Sequence, residues 1–171
     1  MALPKKLKHM NLFVDGISYV GQSSAVTLPK LGRKMEAWRG AGMDGPVKVD
    51  MGHSDDGIQI EWTLGGYDPA TLKQFGAVKA DAVALRWAGS VQRDDTGEVS
   101  AVEVECRGRH EEVDFGEAKP GEDTELKYVT TCSYYKLTMD GEVLVEIDLI
   151  NFVYNVGGND LLADHRSAIG L

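Results

Sequence analysis

Residues 126–154 read LKYVTTCSYYKLTMDGEVLVEIDLINFVY. Two runs rich in β-branched and aromatic residues flank Asp140-Gly141, a dipeptide suited to the positive φ angles of a two-residue type I′ turn, so the stretch predicts a long β-hairpin. After the turn Val143, Val145 and Ile147 alternate with Leu144, Glu146 and Asp148, giving one apolar and one mostly polar face. Before it the phase slips. Leu126, Tyr128 and Cys132 share one parity, whereas Tyr135, Leu137 and Met139 share the other. A β-bulge near Tyr134 accounts for the slip, and so does a strand covered on both faces. The hairpin reads as scaffold rather than as a catalytic element.

The flanking chain is built in the same manner. NLFVDGISYVG (11–21) is a second hairpin with Asp15-Gly16 at its tip. Residues 26–38 carry strand-like apolar positions interrupted by Pro29 and Gly32, which suits an edge strand or an extended arm. Residues 39–57 are rich in Gly and Asp, so a long loop with only a short Val47-Lys48-Val49 strand is expected, and long loops in small domains are usually functional. Ile58, Ile60, Trp62 and Leu64 alternate with Gln59, Glu61 and Thr63 in the cleanest strand of the chain. Asp68-Pro69 reads as N-cap and first residue of a short helix to Gly76, with Leu72 and Phe75 inward. Further strands carry Val83, Leu85, Trp87 and Val91, then, after the Asp94-Asp95-Thr96-Gly97 turn, Val102, Val104 and Cys106. Residues 115–123 are a loop. Asn159 is expected to cap a last helix, with Leu161, Leu162, His165 and Ala168 on one side and Gly170 as its stop. The sum is one mainly β domain over residues 1–171, a small sandwich or barrel with two short helices.

Composition narrows the chemistry. With 18 basic and 27 acidic residues the chain carries a net charge of −9, the wrong sign for gripping nucleic acid. It leaves open a surface past which DNA slides without sticking. Lys5, Lys6 and Lys8 are followed by no apolar segment of signal-peptide type, and no apolar run approaches the length of a membrane span. Cys106 and Cys132 lack metal spacing and are expected as buried free thiols, with a disulfide as the second reading and a reducing cytoplasm as the site of synthesis. His53 with Asp55 and Asp56 is the nearest approach to a metal cluster, and three polar residues in a Gly-rich loop do not fix a ligand geometry. Asp94-Asp95 suits turn hydrogen bonding. There is no Gly-x-Ser-x-Gly elbow, P-loop or dinucleotide fingerprint. Catalytic residues, cofactors and metals are therefore all expected to be absent. A hydrolase using His110 or His165 would need a nucleophile partner, and a ligand-binding barrel would need an apolar cavity.

Open strand edges, an arm and a long polar loop together suggest a subunit that completes itself against neighbours. NLFVDGISYVG (11–21), VTLPKL (26–31), WRGAGMDGPVKVDMG (38–52), GSVQRDDTGE (89–98), RGRHEEVDFGE (107–117), GEDTE (121–125), YYKLTMDGEVLVEIDLIN (134–151) and IGL (169–171) resemble, in order, the major tail tube proteins of P2-like contractile-tailed phages. TLPKL and MDGPVKVDMG also look like the tube subunit of headless R-type pyocins. The type VI secretion tube shares the plan without the LPKL and TMDG segments.

The resemblance implies a structural protein of the virion tail, made in the bacterial cytoplasm. It implies a tail-tube fold, a β-sandwich or barrel with a short outer helix, forming hexameric rings that stack into a hollow tube. The implied partners are other copies of the chain, the tail sheath protein, the baseplate or tail initiator, the tail terminator, the tape-measure protein and, transiently, DNA in the lumen. The inter-subunit loop of the family falls on residues 39–57, with Arg39, Met43, Asp44, Val47 and Met51 as the expected contacts. The acidic balance then becomes interpretable, because carboxylates lining a lumen would repel phosphate. Glu61, Glu103 and Glu105, on polar strand faces, are the candidates for the lumen, and the carboxylates near residues 69–76 for the sheath-facing side.

Overall fold

The hairpin at 126–154 forms around its turn as the residue types dictate. In the computed structural model, which describes residues 2–171, Asp140 (φ 48°) and Gly141 (φ 84°) both occupy the left-handed region required by a type I′ turn. The strands in chain order are β1 (Lys6–Val14), β2 (Ile17–Ser18), β3 (Ser23–Thr27), β4 (Arg33–Trp38), β5 (Val47–His53), β6 (Ile58–Leu64), β7 (Val83–Gln92), β8 (Val99–Asp114), β9 (Leu126–Met139), β10 (Glu142–Asp148), β11 (Val153–Val156) and β12 (Asn159–Asp160). Helix α1 (Pro69–Lys73) continues into a 3-10 turn at Gln74–Gly76, and α2 (Ala163–Ile169) closes the chain.

Strand β9 organises the rest. Along one side it pairs with β8 over nearly its whole length. On the other side it pairs with β6 through Leu126–Cys132 and with β10 through Tyr134–Met139. The hand-over falls at Ser133, which is left out of the β8 register between Cys132 and Tyr134. Of the two readings that the slip in hydrophobic phase left open this is the bulge, and it lets Cys132 and Tyr135 both face the core. Gly108 stands opposite the bulge. A Cβ there would lie 2.1 Å from the Thr131 carbonyl oxygen, so the two strands cross too closely for any side chain.

The bend divides the sheet into two layers that share β8 and β9. One runs β2-β1-β7-β8-β9-β10-β11-β12, and the other adds β6 and β3 to the first half of β9. Strand β3 returns beside β1, where the Tyr19 amide donates to the Leu12 carbonyl (2.8 Å) and the Ser23 amide to that of Tyr19 (2.9 Å). Inward residues of both layers form one core, including Leu12, Leu85, Trp87, Val104, Ile60, Trp62, Leu126, Tyr128 and Ile147. Each fully buried aliphatic side chain contributes about 1.5–3 kcal/mol. Side chains fill the interior, as in a small barrel.

Four expectations are corrected. Residues 26–38 are not one element: Pro29, which cannot donate to a ladder, separates β3 from β4. The loop expected at 39–57 shrinks to 39–46 and the short turn 54–57, because β5 runs from Val47 to His53 and pairs with β4. Phe75 does not point inward; it is 55% exposed, and Thr71 is the buried residue of the helix. Asn159 does not cap α2 but belongs to β12, with Leu162 at the N-cap and Gly170 (φ 81°) closing the helix. The polar backbone pairing of a two-residue strand carries no hydrophobic period, so nothing in the sequence announced it.

Candidate functional site

Among the described residues, strands β4 and β5 pair only with each other and form a two-stranded arm. Trp38 stands opposite Val47, and Glu36 opposite Val49, so Trp38, Val47 and Val49 fall on one face. These three are 64%, 56% and 44% exposed, and Met51 is 56% exposed. A two-stranded ribbon is marginal in water, and this one displays its apolar side chains instead of burying them. At the tip the Arg39 guanidinium donates to the carbonyls of Asp44 (2.6 Å) and Met43 (3.3 Å). Of the expected contact residues, Val47 and Met51 therefore lie on β5, while Arg39, Met43 and Asp44 build the tip.

The base of the arm is fixed to the body through Tyr154 of β11. His53 meets the Tyr154 ring edge-on at 4.9 Å, and the Arg33 guanidinium lies 5.2 Å from its centroid. Arg33 also donates to Asp50 (2.9 Å), which with the Gly52 amide holds that carboxyl below the ordinary range. Burial, aided by the Arg33 charge, pushes the His53 imidazole pKa down. Lys34 pairs with Asp55 at 2.7 Å. His53 is thus engaged in packing, Asp55 in an ion pair and Asp56 in a hydrogen bond from Ser54 (3.4 Å), and no group of three metal-ligating side chains stands together among the described residues. Sequence reasoning missed Tyr154 as the anchor. The alternation of Val47, Val49 and Met51 with Lys48 and Asp50 was the available signal for a longer strand.

Helix α1 is docked by polar contacts. Asp68 caps it by accepting from the Thr71 amide (3.0 Å), and Tyr19 donates to the same carboxylate (2.7 Å). The Thr71 hydroxyl donates to the Asp68 carbonyl (3.1 Å), so the Tyr128 hydroxyl at 2.7 Å is the donor to Thr71. A second chain runs through His110. The Trp62 indole donates to the Thr130 hydroxyl (3.1 Å), which donates to His110 Nδ1 (2.9 Å). That assigns the proton to Nε2, which faces Gln74 Oε1 at 3.3 Å, and Gln74 in turn donates to Asp15 (2.5 Å). Thr130 is fully buried, so no substrate reaches the hydroxyl beside His110. His165 is exposed on α2.

The three candidate glutamates are not brought together. Glu103 and Glu105 lie on the outward face of β8 in the first layer, and Glu61 on the outward face of β6 in the second. Since the inward residues of both layers share one core, these two faces lie on different sides of it. Glu103 pairs with Arg86 (3.5 Å) and Glu105 with Lys136 (3.1 Å). Arg86 also covers Phe13 at 4.0 Å, and Arg107 covers Tyr134 at 4.1 Å. The first face is consequently a near-neutral lattice of paired charges. Around Glu61 the outward side chains include Gln59, Thr63, Thr131, Lys127 and the acidic Glu111, Glu112 and Asp114, and no large apolar side chain is exposed on β6 or the first half of β9.

Comparison with known proteins matches residues 4–170 to the family model described as phage tail tube protein FII. The chain is 55% identical over 172 aligned residues to the tail tube protein of Escherichia phage P2, covering 100% of both chains. It is 42% identical to the major tail tube protein of Serratia phage KSP20, covering 100% of this chain and 99% of that one. Among solved structures it is similar to a chain of the six-fold symmetrised cryo-EM structure of the anti-feeding prophage baseplate, with TM-score 0.50, 10% identity, and coverage of 81% of this chain and 97% of that one. Hcp1 from Flavobacterium johnsoniae is also similar, with TM-score 0.46, 14% identity, and coverage of 79% and 97%.

Proposed function

Since the chain belongs to the phage tail tube protein family, we propose that its copies form hexameric rings that stack into the inner tube of a contractile tail, with DNA passing along the lumen. It is a structural component of the virion tail. The full-length identity to the P2 tail tube protein carries this reading. The arm supports it independently, because an exposed apolar ribbon gains stability only when a partner covers it. Both named relatives belong to phages, which favours the infectious-tail reading over a headless pyocin-like particle.

The arm, with Trp38, Val47, Val49 and Met51 along it and Arg39, Met43 and Asp44 at its tip, is the inter-subunit element of this reading. For the lumen, one ring has one inner wall, and Glu61 cannot share it with Glu103 and Glu105. We assign the Glu61 face. Its carboxylates around Glu111, Glu112 and Asp114 outnumber Arg109 and Lys127, and its hydroxyls and amides offer phosphate no cationic grip. Glu103 and Glu105 are already neutralised by Arg86 and Lys136. Sheath, baseplate, terminator and tape-measure proteins are the further partners of this reading.

Negative-stain electron microscopy of the purified chain, with and without a tail initiator complex, tests it. Rings or hollow tubes are expected. A monomer at every concentration that persists with the initiator would overturn the reading.

A further inference from the structure

Between Glu111 and Glu125 the chain carries seven carboxylates against one lysine, Lys119, a balance of −6 out of a whole-chain charge of −9. This segment comprises the end of β8 and the loop into β9. Within it Phe115, 49% exposed, meets Tyr67, 57% exposed, with ring centroids 6.2 Å apart. An exposed aromatic pair is thereby held at the acidic segment. Salt bridges from Lys119 to Glu117 and Glu122 and from Lys127 to Glu125 (3.7 Å) relieve part of the repulsion, and Glu111, Glu112, Asp114 and Asp123 have no ion-pair partner among the described residues.

The arm has the opposite character. From Arg33 to His53 it carries four basic residues against three acidic ones, a positive balance in an acidic chain. Trp38 is exposed next to Arg39, and Lys48 on the facing strand stands opposite Ala37 without an ion-pair partner among the described residues. Trp and Arg are the residue types that most often dominate an interface.

The base of the arm and the acidic loop lie at opposite ends of the same strands. The arm leads into β6 at Ile58, which is opposite Cys132, whereas the acidic loop enters β9 at Leu126, opposite Leu64. Seven residues of strand separate them by about 20 Å. The exposure of Trp38, Val47 and Phe115 shows that the arm does not cover its own chain's acidic corner. Two complementary surfaces at opposite ends of one molecule make a heterologous contact, which propagates from copy to copy.

We propose that the arm of one copy docks on the Tyr67–Phe115 corner and acidic β8–β9 loop of a second copy. This pairing rests on the tube reading above and names the receptor for the arm. Trp38 stacks against the aromatic pair from one face of the ribbon, and Lys48, on the reverse face opposite Ala37, with Arg39 at the tip, meets the surplus carboxylates of the loop. The surplus charge of the loop acts as a selector: it repels the loop of any other copy and admits the arm.

Trp38→Cys and Phe115→Cys chains, prepared separately, test the pairing, because the native thiols Cys106 and Cys132 are buried and give no background. Oxidation of tubes assembled from an equal mixture should yield covalent dimers that neither variant yields alone. In addition, Lys48→Glu should raise the concentration for half-assembly about tenfold, and adding Asp123→Lys should restore it. Wild-type tubes without the mixed cross-link, or Lys48→Glu tubes assembling normally, would overturn the pairing alone. Cross-linking of Phe115→Cys chains to sheath protein in its place would do the same. A wild-type chain that never assembles, even with initiator, would strike the tube reading itself.

Discussion

Trp62 lies flat against Tyr128, with ring centroids 4.1 Å apart and planes inclined by 7°. The two rings come from paired positions of β6 and β9, and each sends its polar atom into a different hydrogen-bond chain. Tyr128 reaches Thr71 and the cap of α1, while Trp62 reaches Thr130 and then His110. One stacked pair thereby couples the core to the helix that covers it.

Truncating this pair separates packing from hydrogen bonding. Trp62→Ala should lower stability by about 3–5 kcal/mol, the cost of a large buried aromatic. Tyr128→Phe keeps the ring, removes the donor to Thr71 and should cost about 1 kcal/mol. Urea unfolding followed by tryptophan fluorescence measures both, and equal losses would contradict the division of roles.

Acid should loosen the fold in two stages. Burial lowers the His110 pKa from its ordinary 6.5 to about 4, against a smaller upward pull from Asp15. The unfolded chain therefore takes up a proton first as pH falls. Stability from the neutral His110 is complete above about pH 6.5 and is lost between 6.5 and about 4, by at most about 3 kcal/mol and less with solvent screening. His53, also lowered, adds to the same window. Asp50, Asp95, Asp140 and Asp160 are held below the ordinary carboxylate range, so their share is lost only at lower pH. His110→Gln should flatten the urea-midpoint profile between pH 6.5 and 4 while leaving the steeper acid limb.

The two thiols should be inert in the native state. The neighbouring Cys132 thiol and burial push the Cys106 pKa up, and both thiols are buried away from reagent. Ellman's reagent should titrate neither cysteine in the folded protein and both in guanidinium chloride. A fast-reacting native thiol would show that the β8–β9 core opens.

Gly108 is the point of closest strand approach, and Gly108→Ala should cost more than about 3 kcal/mol or prevent folding, because the obstacle is the Thr131 backbone and cannot rotate away. Gly66→Ala is the control: nothing lies within 4 Å of its Cβ, and the effect should stay within about 0.5 kcal/mol. Thermal unfolding of the two variants decides it.

Local chemistry alone made much of this molecule legible. Asp15-Gly16 and Asp140-Gly141 specify their turns because few other pairs accept two positive φ angles. Ile58–Leu64 declares a half-buried strand through strict alternation, Asp68-Pro69 announces a helix start, and the slip between Cys132 and Tyr135 narrows that stretch to a bulge or a strand covered on both faces, of which the fold contains the bulge. The resemblance carried by segments such as TLPKL and TMDGEVLVEIDLIN placed the chain in its family. Tertiary structure decided what no local rule encodes. Whether Val47–His53 is loop or strand depended on β4 being there to pair with it, and the arm's anchor at Tyr154 lies about a hundred residues away in sequence. Period-two alternation tells which side of a strand is polar but not which way that side faces once the sheet bends. Glu61, Glu103 and Glu105 therefore read alike in sequence, and only the crossing of β8 and β9 at Gly108 and Ser133 put them on different sides of one core.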